Sequence, residues 1–100
     1  MNSEVAAVLS ILTQVRAVVV SGPQDLTWQS RYADEPEILD DLADHAARLQ
    51  HEDYSRLPDL SILFAATGPL SEIAVSSGWL HTYRNLADQL DPLLARLRRS

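Results

Sequence analysis

Asp41 and His45 stand four residues apart, with Asp44 next to the histidine, so a helix through them sets a carboxylate and an imidazole one turn apart. Such a pair offers a cation two ligands. Zinc and iron sites take three or more, and His51, six residues from His45, points elsewhere. The spacing therefore predicts no metal site and no cofactor, with His45 at the helix surface or boundary and bonded to Asp41.

Covalent chemistry finds little to work with. Neither Ser21-Gly22-Pro23 nor Ser76-Ser77-Gly78 matches the Gly-x-Ser-x-Gly elbow, and no order of Ser, His and acid marks a triad. Three glycines and no lysine exclude a phosphate-cradling loop of the familiar kind. The absence of cysteine removes thiol catalysis, disulfides and thiolate metal sites. These absences argue against an enzyme.

Two groups of residues suit recognition. Residues 34–59 hold nine acids and two arginines, a net −7. Asp40, Asp41 and Asp44 form its centre, either as a solvated helix face or as a patch that steers and docks a basic partner. The second group is Trp79, Tyr83 and Arg84, of the residue types enriched at interface hot spots. The plainer reading is that Trp79 and Tyr83, with Trp28 and Tyr32, anchor loops onto a helical core.

Helices must position these residues. Val5, Val8, Leu9, Leu12, Val15 and Val19 recur at helical spacing over about 4–20, with Ser3 as a candidate cap and Gly22-Pro23 as the stop. Ile11 and Val18 widen that stripe, which points to a central helix or to one that pairs with a second copy. Residues 24–33 alternate Leu26, Trp28, Ser30 and Tyr32, the pattern of an extended strap. Asp34, Pro36 and Glu37 open a helix over about 35–51, with Ile38, Leu42, His45 or Ala46, and Leu49 inward and Asp40, Asp41 and Asp44 outward.

Asp53 can cap a further helix at about 54–66, and Thr67-Gly68-Pro69 breaks the chain before Leu70, Ile73 and Ala74. If 60–65 and 70–75 were strands, they would form a hairpin instead. From Trp79 onward, Leu80, Tyr83, Ala87, Leu90, Leu94 and Leu97 make a heptad-like seam, in which Asp91-Pro92 predicts a kink or break and a short terminal helix.

The expected fold is thus all-α: a compact bundle of four to five helices with an extended strap near residues 24–33, in one globular domain spanning 1–100. The alternative is a small α+β domain with a hairpin at 60–75. An apolar share of 46% and a charged share of 22% are ordinary for a globular chain and exclude collagen-like or disordered classes. The net charge of −6 argues against coating nucleic acid. No run of ~18 to 20 apolar residues predicts a membrane span, and no basic leader precedes the first helix, so the expected address is a bacterial-type cytoplasm. The functional expectation is a non-catalytic, acidic protein-interaction domain, as a homodimer or with a basic partner. An immunity or antitoxin-like inhibitor acting through the acidic helix is one alternative, and a ligand-binding domain or enzyme with a pocket near Trp79 is the other.

Overall fold

A computed structural model describes residues 3–99 as five helices: α1 (Ser3–Val20), α2 (Glu35–Gln50), α3 (Leu57–Leu63), α4 (Pro69–Ser77) and α5 (Leu80–Arg99). No strand occurs among the described residues, so the hairpin alternative is excluded. α1 packs against both α2 and α5, while α3 and α4 lean on α5. Its buried stripe (Val5, Val8, Ile11, Leu12, Val15 and Val19) is therefore shared between two neighbours, as a central helix requires. Ser3 lies within this helix rather than capping it from outside.

By length and composition α1 alone of the described helices could cross a membrane, with a mean hydropathy of 1.6 over 18 residues. The expectation that nothing in the chain resembles a span is corrected to that extent. Its Glu4, Arg16 and buried packing are also those of a core helix.

The start of α2 follows the sequence closely. Asp34 is extended, its carboxylate accepts the Glu37 backbone N–H at 3.0 Å, and Glu37 reaches back to the Ala33 N–H at 3.0 Å. Its end is a Schellman turn, in which the Asp53 N–H reaches the Arg48 carbonyl at 2.8 Å and Glu52 takes the left-handed conformation at φ 58°.

The third helix is shorter than expected. Asp53 accepts the Ser55 N–H in a local turn instead of capping, and α3 opens only at Leu57-Pro58, where a missing amide costs little. α3 ends where the chain folds back on itself: a Cβ on Gly68 would lie 2.5 Å from the Ile62 carbonyl oxygen, so only glycine fits.

Asp91-Pro92 breaks nothing, because α5 is helical on both sides of it. Pro92 lies on the exposed face, where water can satisfy the carbonyl that proline leaves without a partner, and Leu90, Leu94 and Leu97 are buried on the other. The packing of that face outweighs the local cost.

Candidate functional site

The segment between α1 and α2 is the expected strap, but it does not alternate. It turns at Thr27-Trp28, which leaves Trp28 70% exposed while Tyr32 is buried. Side chains rather than a sheet ladder hold it down. Gln24 bridges the Glu35 carboxylate, at 2.6 Å from its backbone N–H, and the Trp79 indole N–H, which donates to its side chain at 2.8 Å. The Asp25 N–H donates to Ser77 Oγ at 2.8 Å, which fixes the strap to α4.

The far end of the strap lands on α2 and α3, where the chain concentrates its charge. Tyr32 donates its hydroxyl to Asp41 Oδ2 at 2.6 Å. Arg31 grips Asp59 with two nitrogens, at 3.1 and 2.8 Å, and touches Asp41 Oδ2 at 3.4 Å. Arg56, on the turn before α3, reaches Asp41 Oδ1 at 3.0 Å and Asp44 at 2.6 Å and also pairs with Asp59 Oδ2. Arg48 pairs with Asp44 at 2.9 Å, one helical turn away, and with Asp53 at 3.0 Å.

Beneath these ions lies His45, only 2% exposed rather than at the surface. It does not bond to Asp41: its Nε2 is 3.9 Å from Asp41 Oδ1 and 3.7 Å from Asp59 Oδ2, beyond hydrogen-bond reach. Among the described residues it is the one buried side-chain nitrogen or oxygen with no hydrogen-bond partner. Burial, and then the positive charge of Arg56, hold its pKa below the ordinary value against the pull of Asp41, Asp59 and Asp44, so at neutral pH the imidazole is neutral. Asp59 is pushed down to about 2, chiefly by the hydrogen bond from Arg31. Burial alone would raise Asp41, but the hydrogen bonds from Tyr32 and Arg56 outweigh it and hold it low. The cluster thus sets two ionised carboxylates against an imidazole whose Nε2 has no hydrogen-bond partner. Asp59 is the third convergent group that spacing along the chain did not reveal.

The expected docking residues divide. Asp40 stays exposed with no arginine against it, whereas Asp41 and Asp44 are held by arginines of the chain itself, a correction to the open acidic face. Trp79 is 8% exposed and Tyr83 is buried, so neither is presented to a partner. Tyr83 stacks on Phe64 at 6.0 Å, meets Trp79 edge-on at 6.1 Å and donates its hydroxyl to the Ala65 carbonyl at 2.8 Å. Arg84 is exposed.

Trp28 is the aromatic that faces water. It edges an open groove of about 480 Å³ whose floor and walls include Thr67, Glu72 and Val75, and Val75 is 58% exposed. A second cleft, about 410 Å³, is lined by Tyr83, Arg84, Asp88 and Asp91. Ala66, Ser71 and Val75 line both, so one concave surface runs over α4 from Trp28 to Arg84. In comparisons with known proteins, the chain matches no family, no curated protein and no solved structure.

Proposed function

We propose that the chain is a non-catalytic protein-interaction domain that takes its partner on the concave surface over α4, between Trp28 and Arg84. The observation that carries this reading is the 70% exposure of Trp28 beside the 58% exposure of Val75. Apolar side chains gathered at a groove favour burial by a partner, and tryptophan and arginine are the types that anchor interfaces. The clefts carry no nucleophile paired with a base, which favours recognition over catalysis. A basic partner, as for an immunity or antitoxin-like inhibitor, would find Asp40 open but Asp41 and Asp44 already engaged.

A photo-crosslinking residue at position 28, set against one at exposed Ala17 of α1, tests the reading in the producing cell. The expected result is a discrete adduct from position 28 that is absent from position 17. No adduct from position 28, or the same adduct from both, overturns it.

A further inference from the structure

We propose that Asp41, His45 and Asp59 form a binding site for a divalent transition-metal cation of the zinc class. One nitrogen and two oxygens from these residues lie within 4.8 Å of one another. The second observation is His45 itself, 2% exposed, with its Nε2 aimed between the two carboxylates and bonded to neither. The separations of 3.7 and 3.9 Å are too long for a direct hydrogen bond. They are also shorter than the roughly 4.6 Å spanned by a water that bridges two groups at tetrahedral angle. Ligands about 2.1 Å from a common zinc stand roughly 3.4 to 3.6 Å apart, so the imidazole and carboxylates need only close in by fractions of an ångström on the histidine side. An imidazole nitrogen beside carboxylate oxygens is a donor set that suits zinc and its neighbours better than magnesium or calcium.

The arginines divide between support and competition. Asp41 turns Oδ1 toward His45 and has Oδ2 held from the strap by Tyr32 at 2.6 Å and Arg31 at 3.4 Å, whereas Arg31 holds both oxygens of Asp59, the outward Oδ1 at 3.1 Å and the inward Oδ2 at 2.8 Å, and so both orients and competes there. Such outer contacts orient ligands. Arg56 alone bridges both inward oxygens, Asp41 Oδ1 and Asp59 Oδ2, and so occupies the cation's side of the cluster. It also holds Asp44 at 2.6 Å, an anchor it keeps when a cation takes its place. Asp59 and Arg56, 32% and 26% exposed, open the route from solvent.

The test is a zinc titration of the metal-free protein against a competing chelator dye, with His45→Asn, Arg56→Gln and the parent chain side by side. The expected result is one zinc per chain, affinity lowered more than about tenfold by His45→Asn and raised about tenfold by Arg56→Gln, which removes the competing guanidinium. Cobalt(II) added to the parent chain gives visible bands of a low-symmetry nitrogen and oxygen site, a readout that needs no variant. Zinc bound equally well by His45→Asn would place the ion at the exposed His51 or His81 and overturn the proposal. Failure of both the parent chain and Arg56→Gln to bind zinc would overturn it as well.

Discussion

Tyr83 shows how a single side chain can be read in two ways until its surroundings are known. Its position beside Arg84 has the composition of a hot spot, but its hydroxyl is spent on the Ala65 carbonyl and its ring on Phe64 and Trp79. Burial, with the charge of Asp91 adding to it, pushes the phenol up to about 12. Below pH ~10 the tyrosine is neutral in folded and unfolded chains alike and its stabilising contribution is fully present. Between about pH 10 and 12 the unfolded chain alone loses the proton, so stability falls, by a few kcal/mol at most, and levels off above the folded value. Urea unfolding across that window will show a shallower pH slope for Tyr83→Phe than for the parent chain, and an equal slope would refute the assignment. His45 departs from its local pattern for a related reason. Spacing placed His45 one turn from Asp41, but Asp59, Arg31 and Arg56, which decide what His45 faces, lie on other elements.

At the level of elements, the helices with strong local signals were legible in the sequence. Asp34, Pro36 and Glu37 marked the start of α2, and the leucine seam marked α5, because caps and apolar periods act over a few residues. The strap was legible as non-helical, but its turn at Trp28 and its tethers to Trp79, Ser77, Asp41 and Asp59 were not, since each depends on a partner 9 to 55 residues away. The survival of α5 through Pro92 was hidden for the same reason, being set by which face of the helix is buried. The α3–α4 turn is a tight junction, because Ile62 and Leu63 crowd Gly68 with backbone oxygens that cannot swing aside. Gly68→Ala is therefore expected to destabilise by about 1–3 kcal/mol, read as a lower urea midpoint with an unchanged m-value. A midpoint that stays put would show that the turn can open at no cost.

Taken as a whole, the molecule has a radius of gyration of 12.8 Å, against about 13 Å for a compact chain of 100 residues. Its accessible surface of 5573 Å² is close to the roughly 5,700 Å² expected for a monomer of this mass. The wide stripe of α1 and the seam of α5, which by themselves point to a homodimer, are packed against one another. Light scattering at micromolar concentration is accordingly expected to give 11.1 kDa. A mass near twice that would show that the chain pairs with a second copy. The two tryptophans that drew attention in the sequence end in opposite surroundings, Trp79 under the strap and Trp28 on top of it. The chain therefore carries two intrinsic fluorophores of different colour, one shielded from a soluble quencher and reporting the core, the other open to it and reporting whatever settles on the groove.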